Sequence, residues 1–201
     1  MISLEVESKD ILRNLPTLET HRLILRKMTL DDAEDLFEYA SDPEVARYTI
    51  WTPHQSVKDS KFFLHTVVGR YKNCQLTDWG IVHKEDSKFI GTCGFTEWSL
   101  PHNRAEIGYA LSQKYWRQGY MTEAVSAVID MGFNRMNLNR IEARCTVENI
   151  ASTRVMEKVG MKFEGILRQH LFTKGKYWDI KVYSILRQDF FGKNWSKSEL
   201  K

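Results

Sequence analysis

Residues 107–124 read IGYALSQKYWRQGYMTEA, and the local period changes inside this stretch. The run 104–111 reads as a strand, whereas from Met121 onward Ala124, Val125, Val128, Ile129 and Gly132 fall on one side of a helix. Between them lies a short turn containing Gly119. The first N–H groups of a helix have no internal partner and sit at the positive end of its dipole, so such a turn is a ready seat for phosphate. Gly119 permits a backbone path or a close ligand approach that a side chain would hinder. The turn is neither a Walker loop nor the three-glycine dinucleotide fingerprint. One glycine before a helix is often a mere connection, so the order of the surrounding elements must decide.

Upstream, residues 79–83, 89–97 and 104–111 are β-rich and separated by the turn-like segments 84–87 and 99–103, the pattern of an antiparallel meander. Residues 22–27 alternate around Leu23 and Leu25 as a half-buried strand does. Thr29 and Asp32 form a capping-box pattern before Ala33, Leu36, Phe37 and Ala40, and Asp42-Pro43 ends that helix. A second helix is predicted over 56–71, and the segment between the two, with Tyr48 and Trp51, reads as a mobile lip. Downstream, Ile141, Ala143, Cys145 and Val147 alternate with polar neighbours. Asn149 caps a short helix that stops at Gly160. Strands at 162–173 and 176–187 meet at the Lys174-Gly175 turn. The class is α+β: a mixed, mostly antiparallel sheet of about seven strands with about four helices.

The chain has 201 residues, 42% hydrophobic and 27% charged, which suits one soluble globular domain. Residues 1–18 read as an N-terminal arm, 19–190 as the domain, and 191–201 as a polar tail expected to fray. The formal net charge of +3 comes from mixed acidic and basic residues without a basic stripe, so direct nucleic-acid binding is not expected. Cys74, Cys93 and Cys145 are odd in number and widely spaced, which argues against a disulfide framework and a zinc knuckle. No histidine pair has metal-site spacing, and a metal-free protein is expected. No signal peptide or membrane span is legible, and a cytoplasmic location is expected.

Four pieces together resemble the GNAT superfamily, and within it the ribosomal-protein N-terminal acetyltransferase branch. They are ETHRLILR from Glu19, AEIGY from Ala105, YWRQGYMTEA from Tyr115, and NIAS from Asn149 leading to EKVGMKFEG from Glu157. The likeness runs from about residue 19 to 190. It implies the GNAT fold and acetyl transfer from acetyl-coenzyme A to a primary amine by direct attack in a ternary complex. The family's pyrophosphate loop, Gln/Arg-x-x-Gly-x-Gly/Ala, falls on Trp116, Arg117, Gln118, Gly119, Tyr120 and Met121; Gly119 fits strictly, while Trp116 and Met121 depart. Backbone amides from Arg117 to Thr122 would grip the phosphates. The resemblance further implies that the strand before the loop splays from the strand at 141–147. Free edge groups of Tyr109, Ala110 and Leu111 would then pair with the pantetheine arm, and one N–H would polarise the thioester carbonyl.

By position Ser152 matches the residue to which the family gives protonation of the departing thiolate, and Asn149 matches a cofactor-contacting asparagine. The glutamate that some relatives use as general base corresponds here to Leu171, so Glu106, Glu97, His170 and an ordered water chain stay open for that role. Cys145 reads as core packing, with no neighbouring base to activate it. Tyr48, Trp51 and the turn at 173–176 are expected to line the acceptor side. A peptide or protein N-terminus is the favoured acceptor. A small amine (polyamine, amino acid conjugate or antibiotic) and a non-catalytic acyl-coenzyme A sensor are the alternatives, and a homodimer is an expectation of the resemblance alone.

Overall fold

The computed structural model describes the backbone of residues 11–198 and side chains as far as Gly192. The first ten residues of the expected arm lie outside it, as do 199–201. Eight strands form one sheet: β1 (Leu18–Glu19), β2 (Leu23–Arg26), β3 (Asp78–His83), β4 (Lys88–Ser99), β5 (Arg104–Leu111), β6 (Arg140–Thr146), β7 (Lys162–Thr173) and β8 (Lys176–Leu186). Their order is β1-β2-β3-β4-β5-β6-β8-β7, antiparallel except for β5 against β6. The strand beyond the expected seven is β1, whose two residues are too few to show an alternation.

Helices cover both faces. Helix α1 (Ala33–Ala40), the single turn α2 (Pro43–Ala46) and α3 (Val57–Lys72) lie on one side; α4 (Tyr120–Asn134) and α5 (Ile150–Lys158) lie on the other. Leu36, Tyr39, Ala40, Leu64 and Val67 form a core with Phe89 on the first face. Ala124, Val125, Val128, Ile129 and Met156 form a larger one on Ile107, Ile141 and Tyr183 on the second. Before α1, Asp32 accepts from the backbone N–H of Thr29 at 2.7 Å and pairs with Arg26 at 2.6 Å. Asp42 and Pro43 end α1 as predicted and also start α2, where the Asp42 carboxylate accepts from the Glu44 amide at 2.9 Å.

The structure describes a helix where the polar tail begins: α6 (Arg187–Ser198) takes in residues 191–198, and 199–201 fall outside the described residues. Asp189 accepts from Lys162 Nζ at 2.6 Å, and the Phe190 ring lies 5.0 Å from that of Phe133. Aromatic burial and an ion pair at the start of a polar segment hold a helix that composition alone does not announce.

Asp78 sits at the start of β3 against Gly94, where a Cβ would come within 2.7 Å of its Oδ1. Burial pushes this carboxyl up to about 6, opposed by the charge of Arg70. The folded state therefore favours the protonated form. The associated stability is whole below the unfolded value of ~3.9 and is lost as pH rises through about 6. Asp78→Asn is expected to melt with the wild type near pH 4 and to be more stable at pH 7.5 by on the order of 2 kcal/mol. Thermal melts at both pH values test this, and equal differences at the two would remove Asp78 as the cause.

Candidate active site

Strands β5 and β6 pair from Arg104↔Arg140 to Ile107↔Ala143 and then part. Beyond that point β5 stays on β4 as far as Gly91↔Leu111, and β6 stays on β8 as far as Thr146↔Ile180. Residues 108–111 and 144–146 thus face each other across a wedge with no ladder between them. Alternate backbone groups of Gly108, Tyr109, Ala110 and Leu111 are left free to pair with a ligand. The cause lies next door: β4 carries an extra residue, Thr96, between Phe95↔Ile107 and Glu97↔Glu106. A bulge at the level where the β5–β6 ladder ends adds local twist and turns the rest of β5 away.

The chain leaves β5 through a 3-10 turn, Gln113–Tyr115, and enters α4 at Gly119. Arg117 and Gly119 both adopt left-handed backbone conformations, φ 60° and 83°. After Trp116, whose amide donates to the Gln113 carbonyl at 3.1 Å, the next amide to find an acceptor is that of Glu123, on the Gly119 carbonyl at 3.0 Å. Amides 117–122 are therefore the donors available to an anion. The side chains of Tyr120 and Met121 are buried in the core, so only their backbone can serve a ligand. Arg22 straps the turn in place: Nη1 donates to the Gln118 carbonyl at 3.0 Å, Nε donates to Glu123 at 2.8 Å, and the guanidinium lies 4.1 Å from the Tyr120 ring centre. Glu123 also accepts from the Thr20 hydroxyl at 2.6 Å and the Arg22 amide at 2.8 Å. Burial pushes its carboxyl up, and these donors outweigh that and bring it below the ordinary value. His83 Nε2, 3.0 Å from the Tyr120 hydroxyl, braces the same turn from β3. None of these supports is legible in the sequence, because partners 37 to 103 residues apart leave no local pattern.

On the α4–α5 side, Asn149 accepts from the Ser152 amide at 3.1 Å and so starts α5. The Ser152 hydroxyl lies 2.8 Å from the phenol of Tyr109, which spans the wedge from β5. Tyr109 had been expected to contribute only its backbone; its side chain also sets the orientation of Ser152. Burial holds the Tyr109 phenol well above its ordinary value and so keeps it protonated. Cys145 is buried with its thiol 3.7 Å from the Thr153 hydroxyl, and burial raises it too, which agrees with packing.

Glu106 projects from the opposite face of β5, its carboxylate 3.4 Å from Arg144. Burial raises its pKa, Arg144 works against that, and Glu142 and Glu97 reinforce it. Glu97 is exposed on β4 beside it, whereas His170 lies exposed in the bulge of the outer strand β7, between Leu167↔Ile180 and Leu171↔Trp178. On that same sheet face Trp178 meets Tyr48 edge-on at 6.2 Å, and Trp51 and Ala110 each pack against the first core. Lys174, at the β7–β8 turn, donates to the Ala46 carbonyl. Tyr48, Trp51 and the hairpin turn are thus gathered on the face that carries Glu106, while Ser152, Asn149 and the Gly119 turn lie on or toward the other. The wedge opens between them.

This arrangement brings together free amides at a helix start, an unpaired strand edge and a hydroxyl pair. Among the described residues no three His, Cys, Asp or Glu side chains stand together as a metal site, and no helix is long and apolar enough to cross a membrane.

Comparison with known proteins gives concordant results. Residues 22–162 match the family described as acetyltransferase (GNAT) domain. An uncharacterized N-acetyltransferase, p20, of Bacillus licheniformis is 39% identical over 178 residues, which are 89% of this chain and 100% of that one. A GNAT-family acetyltransferase of Bacillus anthracis superposes with a TM-score of 0.78 at 31% identity, covering 86% of this chain and 99% of that one. A ribosomal-protein-S5-alanine acetyltransferase of Vibrio fischeri gives 0.71 at 26% identity, covering 87% and 98%.

Proposed function

The chain belongs to the acetyltransferase (GNAT) family, and on that premise we propose that it acetylates the N-terminal α-amine of a peptide or protein, a ribosomal protein being the leading candidate. Acetyl-coenzyme A, which GNAT enzymes use, supplies the acyl thioester. Amides 117–122 hold the phosphates, and the free edge at Tyr109, Ala110 and Leu111 aligns the arm and directs an N–H at the carbonyl oxygen. Ser152, oriented by Tyr109, gives a proton to the departing thiolate as the new C–N bond forms. Glu106, directly or through water, takes the proton that the amine loses.

One observation supports an α-amine above all: the carboxyl best placed as base is tied to Arg144, and the position of the family's alternative base is Leu171. Burial strengthens Glu106 as a base, but a carboxylate stays a far weaker base than a lysine amine, so an acceptor that arrives largely neutral is favoured. At pH 7 an α-amine of pKa ~8 is roughly a tenth neutral, whereas a lysine of ~10.4 is about 0.04% neutral, a gap of ~3.3 kcal/mol. The resemblance to the ribosomal-protein-S5-alanine acetyltransferase supports the same class.

Thiol release from acetyl-coenzyme A is measured with Ala- and Ser-starting peptides, lysine side-chain peptides, spermidine and aminoglycosides. Turnover concentrated on the free N-termini is expected, and turnover confined to lysine or small amines would overturn the reading. Coenzyme binding without turnover on any acceptor would point to a sensor. In the active enzyme Ser152→Ala should lower kcat about 10²-fold with little change in the coenzyme KM. Tyr109→Phe should cost about fivefold, the size of one hydrogen bond. Unchanged kcat in both would remove the hydroxyl pair from proton transfer.

A further inference from the structure

The acceptor face carries a charge pattern that narrows the substrate class, and the following rests on the reading just given. Its outer rim is cationic and aromatic in alternation. The Arg47 guanidinium lies 5.3 Å from the Tyr48 ring centre, Tyr48 meets Trp178 edge-on, and Lys176 Nζ lies 3.4 Å from the Trp178 ring centre. Lys174, two residues before Lys176, is pinned to the Ala46 carbonyl, one residue before Arg47. The α2–α3 segment and the β7–β8 turn therefore bring three cations to one rim. Among the described residues Lys174 and Lys176 have no carboxylate within ion-pair distance. Arg47 has one, Glu44 at 3.4 Å, and both partners are more than half exposed, so the pair screens little.

Toward the wedge the cationic excess ends. Glu106 stands with Glu97 across the β4 pairing and Glu142 across the β6 pairing; Glu142 is paired with Arg140 at 3.0 Å and Arg144 at 2.9 Å, and Arg144 also reaches Glu106 at 3.4 Å, so carboxylates and guanidiniums balance there. An acceptor that suits both zones is positive or neutral at its reacting end and negative further out. A polyamine, cationic along its length, meets like charge at the rim. A peptide N-terminus followed by acidic residues has the matching polarity, and its backbone, at about 3.3 Å per residue, spaces those charges outward from the amine.

We propose that the acceptor is a peptide or protein N-terminus bearing acidic residues within its first few positions, the α-amine turned toward Glu106 and the acidic side chains held by Arg47, Lys174 and Lys176. Cationic side chains packed on aromatic rings lose less freedom on binding than free lysines, so they favour recognition of charge at a fixed place.

The test compares kcat/KM for Ser-Asp-Glu and Ser-Lys-Arg peptides of equal length and common remainder. A preference for the acidic peptide of about tenfold at low salt is expected, shrinking as salt is raised to 0.5 M. The double variant Arg47→Glu, Lys176→Glu should reverse it, with coenzyme A affinity as the check on folding. Equal or opposite preference in the wild type overturns the proposal and leaves N-terminal acetylation standing; turnover confined to spermidine or aminoglycosides overturns both. Should no acceptor turn over, the N-acetylated peptides are titrated into the protein–coenzyme A complex by tryptophan fluorescence. Tighter binding of the acidic one by about tenfold supports the rim's role, and equal binding overturns it.

Discussion

Gly91→Ala is expected to lower the melting temperature by roughly 6–12 °C, and in whatever fraction folds, to weaken acetyl-coenzyme A binding. A Cβ at residue 91 would stand 2.3 Å from the Ala110 carbonyl oxygen and 3.1 Å from Leu111 Cα. Both obstacles are backbone, so no rotamer change relieves them, and β5 itself must move. Overpacking of this kind costs about 3 kcal/mol. The displaced residues belong to the half of β5 that borders the wedge. A variant with wild-type melting and wild-type coenzyme affinity would show that this strand edge is neither rigid nor part of the cofactor site.

Gly119→Val is expected to raise the KM for acetyl-coenzyme A about 100-fold while leaving kcat at saturation within a few-fold. Its φ of 83° is one that a β-branched residue adopts only with strain. The protein itself leaves room, since the nearest neighbour of a new Cβ is Arg22 Nη2 at 3.5 Å. The damage should therefore come from a distorted turn and from a side chain near the ligand's path. Gly119→Asn separates the two, because asparagine tolerates this backbone region. Binding restored toward wild type in Asn but not in Val assigns the loss to strain, and loss in both assigns it to crowding. Undiminished binding in both would remove the turn from the cofactor site.

What the sequence disclosed follows the range of each interaction. The helix after Gly119, the capped helix after Asn149 and the 174–175 turn are written in neighbouring residues, and the structure places them where their local patterns predict. The wedge was expected from resemblance alone. Its physical cause, an extra residue in β4, is a matter of register between strands and invisible in either strand by itself. The Arg22–Glu123 strap and the Tyr109–Ser152 hydrogen bond join residues 101 and 43 positions apart. The resemblance marks Tyr109 for its backbone, and nothing in the spelling of its strand tells which way its phenol reaches. Helix α6 escaped notice for a related reason: its anchors, Phe133 and Lys162, lie on other elements.

The interrupted ladder between β5 and β6 also bears on how long the protein survives. A sheet that lacks partners over half of one internal strand is completed when acetyl-coenzyme A lies in the wedge as proposed, because the bound molecule takes the place of the missing ladder. Ligand that binds only the folded form shifts the folding equilibrium by mass action, by about 2.7 kcal/mol at a concentration 100 times its Kd. The lifetime of this chain against proteolysis should accordingly follow the supply of the acyl donor, lengthening when acetyl-coenzyme A is plentiful and shortening when it is depleted.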